Sequence, residues 1–176
     1  MALLSFKHHD LIKVSEALDI AEDATVNYFK FSLREWKRYR YDVKTLSSLK
    51  EYDVSPDVFA LLNKGTKPAR GFELRTRNLD FYLICLQDHH ILNAVERDEE
   101  LFLLPLLVYV FTHELVHIVR FCNFFQRFDV ASRERDREET VVHAQTFDIL
   151  KNLLMPRLGY VLDSYRDHRA CDMAIL

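Results

Sequence analysis

The chain of 176 residues has little of what builds tight turns and covalent cross-links. Three glycines and four prolines are too few for the many turns of an all-β fold, so long helices with a few strands are expected. The cysteines Cys85, Cys122 and Cys171 are scattered and odd in number, which excludes a disulfide-rich secreted scaffold. We expect them to be buried or idle thiols.

A large excess of charge of one sign is also missing, because the formal net charge is only −3. No global attraction to nucleic acid or to an anionic membrane is therefore expected. The first residues lack a basic stretch followed by an apolar core, which is the pattern of a secretory signal peptide. A cytoplasmic protein is the default expectation.

What the chain does have is the composition of a soluble globular domain, with 49% hydrophobic and 29% charged residues. This length predicts one domain over residues 1–176. The predicted fold is α+β and mainly helical, with a small antiparallel sheet ahead of a central helix. Residues 1–70 are expected to form an N-terminal helical region.

Helices are predicted where apolar residues recur at intervals of three, four and seven residues. One or two helices are expected over residues 10–47, and longer ones over residues 100–124 and 132–155. A short helix is expected over residues 55–62. Pro105 lies near the start of the central helix, either in its first turn or at a kink.

The strand signals lie just ahead of the central helix. Residues 72–77 alternate apolar and polar side chains, and residues 81–86 form a continuous apolar run. Residues 91–95 are expected to add a third strand. The apolar run over residues 101–112 is too short for a membrane span, which needs ~20 residues, so a buried central helix is expected.

The central helix carries the HExxH motif His113-Glu114-Leu115-Val116-His117. On a helix, positions four residues apart share one face, so both imidazoles can reach one metal ion. Glu114 follows the first histidine and can approach a metal-bound water, whose pKa zinc lowers towards 7. The motif therefore indicates metal-assisted hydrolysis.

A third protein ligand is needed, because a catalytic zinc site usually has three and leaves one position for water. The metzincin pattern HExxHxxGxxH is excluded, since Arg120 stands where its glycine belongs and Asn123 where its third histidine belongs. The remaining large class takes a glutamate from a second helix.

The helix that follows offers two neighbouring glutamates and a histidine. Glu139 shares a broad apolar face with Val142, whereas Glu138 falls on a mostly polar row. His143 lies one turn after Glu139 on the same face. The pattern therefore selects Glu139 over Glu138 as the third ligand and leaves His143 as a competitor.

Residues 72–155 resemble a compact zincin metallopeptidase of the gluzincin type. The likeness consists of a sheet, an HExxH helix and a second helix carrying a glutamate. It implies a Zn²⁺-dependent hydrolase of peptide bonds with a peptide or protein substrate. Iron or manganese could occupy the same donor groups.

The resemblance also implies roles for individual residues. His113, His117 and Glu139 would hold the metal, and Glu114 would be the general base. His143 would complete the catalytic set by orienting an imidazole, where gluzincins often have an aspartate four residues after the ligand.

Further parts of the family's machinery have candidates in this chain. An edge strand that pairs with an extended peptide would be formed by residues 81–86 or 91–95. The side chain that polarises the scissile carbonyl would be Tyr160, Tyr165 or His168, on their downstream position alone.

Three alternatives stay open at this point. The two motif histidines could simply be hydrogen-bonded core residues. The chain could be a zinc-binding regulatory or interaction module that cuts little. It could also be a helical adaptor that binds nucleic acid through the basic face Lys30–Lys44, although a solvated helix face is the more ordinary interpretation.

Overall fold

The computed structural model describes residues 3–66, 80–123 and 131–166. In this part of the chain the fold is α+β, as predicted, with six α-helices and a three-stranded sheet. The helices are α1 (His8–Phe29), α2 (Leu33–Trp36), α3 (Asp88–Arg97), α4 (Leu103–Cys122), α5 (Ser132–Leu150) and α6 (Leu158–Tyr165). The strands are β1 (Tyr41–Lys44), β2 (Ala60–Thr66) and β3 (Asp80–Leu86).

The sheet is mixed rather than antiparallel, so that part of the prediction is wrong. Strand β3 lies in the centre, as the apolar run over residues 81–86 requires of a strand covered on both sides. Ile84 pairs with Val43 of β1 in parallel and with Leu62 of β2 in antiparallel register. The parallel pairing joins segments far apart in sequence, which local patterns do not reveal.

The one or two helices predicted over residues 10–47 are present as α1 and the short α2, but the prediction is wrong beyond Trp36, where Tyr41–Lys44 form a strand. Lys30 takes a left-handed backbone conformation with φ of 57°, which ends α1. A capping box between Ser32 and Glu35 then starts the short helix α2. The cations of the predicted basic face Lys30–Lys44 therefore lie on different elements and do not share one helix face.

Two further predicted elements have the other secondary structure. The short helix expected over residues 55–62 is wrong, because residues from Ala60 onward pair with β3. The strand expected over residues 91–95 is wrong as well, because it lies in α3, where Ile91 is fully buried. The strand predicted over residues 72–77 lies outside the described residues.

Helix α4 is the centre of the core, as predicted for residues 100–124. It packs against α1, α5, α6 and the sheet. Pro105 lies in its first turn, where its missing N–H costs no helix hydrogen bond. By length and composition α4 could cross a membrane, and 89% of that stretch is buried within this fold. The helix predicted over residues 132–155 ends earlier, at Leu150.

Two of the three cysteines lie in the described part of the chain, and both are free thiols. Cys85 is buried in β3, and burial raises its pKa to about 12. Cys122 is partly buried at the end of α4, where burial raises its pKa to about 11. Thiols with such pKa values are poor nucleophiles, in line with the expectation of buried or idle cysteines.

Candidate metal centre

One row of side chains on α4 faces α5 and carries both motif histidines. Tyr109, His113, His117 and Phe121 follow one another at intervals of four residues, so they stack along the helix. His113 and His117 have no solvent exposure, and their Nε2 atoms lie 3.1 Å apart. Phe121 stacks on the His117 ring with centroids 5.7 Å apart and closes one end of the row.

Glu139 reaches this row from α5. Its Oε1 lies 3.0 Å from His117 Nε2, and its Oε2 lies 3.2 Å from His113 Nε2. The structure therefore brings together the three residues predicted to hold the metal. Their role as ligands stays a prediction, since the distances describe the donor atoms alone.

Glu138 points to a different partner. Arg120 donates to its carboxylate from Nε to Oε1 at 2.5 Å and from Nη2 to Oε2 at 2.9 Å. Glu138 is 5% exposed, so its side chain is buried, although the sequence pattern placed it on a mostly polar row. The buried charge is tolerated because the Arg120 guanidinium accompanies it. This ion pair joins α5 to α4 through Glu138 and does not involve Glu139.

His143 lies one turn beyond Glu139 and also faces the histidines. Its ring packs edge-to-face on His113 with centroids 4.7 Å apart, and its Nε2 lies 3.9 Å from Glu139 Oε2. Its Nδ1 forms a hydrogen bond of 2.8 Å with the Tyr109 hydroxyl. One ligand atom from each of His113, Glu139 and His143 lies within 4.8 Å of the other two.

Glu114 is buried beside this cluster with a side chain that is 1% exposed. Within residues 3–66, 80–123 and 131–166 neither of its carboxylate oxygens has a hydrogen-bond partner. Burial, opposed by the charge of His117 and assisted by that of Glu139, raises the pKa of Glu114 to about 8. An unpartnered buried carboxyl is costly, so its presence needs an explanation.

The charges of the cluster favour binding of a cation. Burial raises the pKa of Glu139, but hydrogen bonds with His113 and His117 outweigh burial and lower it well below the ordinary range. Burial lowers the pKa of His113 to about 4, against the attraction of Glu139. An ionised carboxylate beside a neutral imidazole is the protonation state in which these groups bind metals. For His117 the effect is the reverse, because burial lowers its pKa but the hydrogen bond and charge of Glu139 outweigh burial and raise it, so a metal ion would have to displace a proton there.

The donor atoms also have the spacing that a shared ion requires. Two donors bound to one zinc ion at ~2.1 Å are separated by ~3.0–3.5 Å, and the three separations here are 3.0, 3.1 and 3.2 Å. Facing nitrogen lone pairs at this distance repel each other unless a proton or a cation lies between them. The mixed nitrogen and oxygen donors suit zinc, iron or manganese.

A metal-free arrangement satisfies part of the same geometry. If His113 and His117 each carried a proton on Nε2, both could donate to the Glu139 carboxylate. Their Nδ1 atoms have no hydrogen-bond partner in the described part of the chain, so they would be unpaired acceptors in this arrangement and unpaired donors with a metal on Nε2, and they do not distinguish the two. The metal-free arrangement leaves Glu114 unexplained.

Tyr109 and Arg120 were missed as candidate site residues. Tyr109 precedes His113 by four residues, so the same spacing that pairs the motif histidines could have identified it. Arg120 was considered only for its position in the metzincin pattern. Its pairing with Glu138 depends on how two helices pack, and sequence spacing carries no signal for that.

The three residues predicted as candidates for polarising the scissile carbonyl lie in different surroundings. Tyr160 is on the surface and donates a hydrogen bond to Asp98. Tyr165 stacks on Tyr109 with ring centroids 5.7 Å apart, which places it beside the tyrosine that contacts His143. His168 lies outside the described residues.

The predicted peptide-binding edge strand is wrong in both versions. Residues 81–86 form the central strand, whose backbone groups pair with β1 and β2 on its two sides. Residues 91–95 are helical. Among the described residues the two outer strands are β1 and β2, which come from the N-terminal region.

The chain matches no protein family, no curated protein and no solved structure with which it was compared. The resemblance to gluzincins therefore rests on the motif and on the placement of Glu139.

Proposed function

We propose that this protein is a zinc-dependent hydrolase of peptide bonds, with His113, His117 and Glu139 as metal ligands and Glu114 as general base. The observation that carries the proposal is the convergence of two imidazole nitrogens and one carboxylate within 3.2 Å, beside an unpartnered buried carboxyl. Structural histidines alone would account for the first feature but leave Glu114 without a purpose.

Each residue of the site has a task in this proposal. His113 and His117, which lie one turn apart on one helix, and Glu139 from the facing helix would hold the ion. A bound divalent ion supplies the Lewis acidity that makes water a nucleophile near neutral pH. Glu114 accepts the proton of the attacking water and passes it to the leaving amine. A general base must be ionised, and burial in these surroundings raises the pKa of Glu114 to about 8, so the role needs the charge of a bound divalent ion, which would lower that pKa.

Peptide is proposed as the substrate because of the gluzincin-like combination of HExxH with a glutamate on the next helix. Access to the ion would come from the side of α5, where the Glu139 and His143 side chains are 18% and 19% exposed. The His113 and His117 side chains are buried beneath that surface.

The burial of the site favours a second candidate function. His113, His117 and Glu114 are almost completely covered. A metal ion covered from solvent in this way would suit a structural role, in which zinc stabilises a fold or an interaction surface without catalysis. A zinc-binding regulatory or interaction module is therefore the alternative to an enzyme.

Glu114→Gln tests the proposed chemistry. The variant should fold, retain zinc and lose hydrolysis of a peptide library by ~10²–10⁴-fold, because the general base is removed while the ligands remain. The surface variant Glu99→Gln is the matched control and should cleave like the original chain. Equal cleavage by Glu114→Gln contradicts the assignment, and a zinc-loaded protein without any cleavage favours the non-catalytic module.

A further inference from the structure

A cavity lined by residues of α1, α2 and β1 shares no side chain with the candidate metal centre. Its volume is about 340 Å³, which is at the lower end of the range of ~300–1,000 Å³ for small-ligand sites. Trp36, Tyr39 and Tyr41 line it, and all three are only partly buried. The cavity therefore opens to solvent and is of a size for one small group.

The three aromatic rings are inclined to one another. The Trp36 ring is tilted by 45° from Tyr39 with centroids 5.3 Å apart, and by 65° from Tyr41 with centroids 6.1 Å apart. Phe31 stacks on Trp36 with centroids 6.3 Å apart and supports it. Rings that meet at such angles around one cavity form an aromatic cage, in which the negative ring faces attract a cation.

Both tyrosine rings are fixed through their hydroxyl groups. The Tyr39 hydroxyl accepts a hydrogen bond of 2.9 Å from Asn123 Nδ2. The Tyr41 hydroxyl donates a hydrogen bond to the Glu22 carboxylate. Rings that are held in place before a ligand arrives lose little conformational entropy when it binds.

The charges around the rings also favour a cation. The carboxylates of Glu22 and Asp42 line the cavity, against the one ammonium of Lys37. Burial, the hydrogen bond to Glu22 and the charges of Glu22 and Asp19 all raise the pKa of Tyr41, so the surroundings of its ring are negative. Among the described residues no Lys or Arg side chain lies over any of the three rings.

A methylated ammonium group suits these walls better than an unmodified one. The ammonium of lysine is strongly hydrated, and aromatic walls offer no hydrogen bonds in exchange for that water. Methyl groups spread the positive charge over an apolar surface that contacts the rings directly. One oxygen of Glu22 already accepts from Tyr41, and one of Asp42 accepts from the Val43 N–H, so these carboxylates act mainly through their charge.

We propose that the cavity formed by Trp36, Tyr39 and Tyr41 binds a methylated ammonium group on a side chain of a partner protein, such as a trimethylated lysine. A side chain is favoured over a free small molecule because the rings are partly exposed, whereas small-molecule sites usually enclose ~70–90% of the ligand surface. The methylated tip would lie against the rings while its stem extends into solvent.

Fluorescence of Trp36 tests the proposal, because it is the only tryptophan of the chain. Titration of the full chain with a short peptide containing one trimethylated lysine should change the emission. This peptide should bind ~10-fold more tightly than the same peptide with unmodified lysine. Choline should bind more weakly than the trimethylated peptide but more tightly than its uncharged analogue, in which a carbon atom replaces the nitrogen.

Substitutions of Trp36 distinguish attraction of a cation from apolar packing. Calorimetry should show binding ~3-fold weaker in Trp36→Phe and more than ~10-fold weaker in Trp36→Leu, because a poorer aromatic face remains in the first and none in the second. Tyr52→Leu removes an exposed ring outside the cavity and is the matched control, with unchanged binding.

Substitutions of the charged residues test the electrostatic part and cover the case in which Trp36→Leu fails to fold. Glu22→Gln keeps an acceptor for the Tyr41 hydroxyl and removes the charge, so it should weaken binding ~3-fold. Lys37→Gln removes the opposing charge and should strengthen binding.

The outcomes that would overturn the proposal are distinct. Equal affinity for the trimethylated and unmodified peptides, or binding of neither, excludes a site for methylated ammonium. Choline that binds more tightly than the peptide identifies a free quaternary ammonium rather than a partner's side chain. Tight binding of a single-stranded oligonucleotide that is lost in Lys37→Gln assigns the cavity to nucleic acid. None of these results depends on zinc, so they leave the proposed hydrolase unaffected.

Discussion

Two buried polar regions of this molecule differ in whether the protein supplies hydrogen-bond partners for their side chains. At the start of α3, Gln87 and Asp88 are as deeply buried as Glu114 in α4. The Gln87 amide accepts a hydrogen bond from the Ser55 N–H and donates one to the Asp53 carbonyl. Glu114 has no such partner in the described ranges.

Asp88 completes the contrast. Its two carboxylate oxygens accept hydrogen bonds from the backbone N–H groups of Phe6 and Leu46, at 2.9 Å each. It thereby joins the N-terminal segment and the chain after β1 to α3. The hydrogen bonds of Asp88 explain its burial as part of the structure, whereas a buried carboxyl without a partner, such as Glu114, needs another explanation, for example a catalytic role or a bound ion.

The same difference separates two adjacent glutamates of α5. Glu138 has its partner in the Arg120 guanidinium, which is always charged, while Glu139 faces the imidazoles of His113 and His117. Glu139→Ala should therefore reduce zinc affinity more than ~100-fold, as loss of a direct ligand exceeds the usual effect of an outer partner. Competition with a chromophoric chelator measures the change.

Glu138→Ala is the matched variant for that measurement. It should keep zinc affinity nearly unchanged while lowering the free energy of unfolding by about 3 kcal/mol, because the mostly buried Arg120 guanidinium loses the carboxylate that balances its charge. If His143→Ala removes the metal and Glu139→Ala does not, the roles of Glu139 and His143 must be exchanged.

Replacing Gln87 by Met tests the region at the start of α3, where the buried Gln87 amide has hydrogen-bond partners. Gln87→Met keeps the volume and removes both ends of the amide, so the Ser55 N–H and the Asp53 carbonyl lose their partner. We expect the free energy of unfolding to fall by about 2 kcal/mol. Urea denaturation measures it, and a loss below about 0.5 kcal/mol would mean that this network does not stabilise the fold.

The equivalent substitution at Glu114 should change the free energy of unfolding in the opposite direction. Glu114→Met removes a buried carboxyl that has no hydrogen-bond partner in the described chain. The metal-free protein should gain about 1 kcal/mol in its free energy of unfolding. Glu99→Met on the surface should change it by less than about 0.5 kcal/mol. A destabilised Glu114→Met protein would show that the carboxyl has a structural partner.

Local spacing predicts part of this molecule and fails where distant segments meet. The apolar run before His113 predicts α4, and the four-residue interval predicts that His113 and His117 share a face. Helical phase also turns Glu139 towards them. These features depend on one helix at a time, so a pattern of three or four residues contains the information.

The failures all involve contacts between distant segments. Residues 60–62 become a strand because β3 is available to pair with them. Residues 41–44 pair with β3 in parallel although their spacing continued the apolar stripe of α1. Arg120 buries Glu138 through helix packing. In each case tertiary context overrides a local preference.

The metal content of the purified full chain tests the central proposal most directly. Protein never exposed to a chelator should contain about one zinc ion per chain by elemental analysis, as expected for one set of converging ligands. His113→Ala should lose it, while His90→Ala should retain it. Metal well below one ion per chain in the original protein, after equilibration with zinc, would contradict the proposal and identify His113 and His117 as core residues hydrogen-bonded to Glu139.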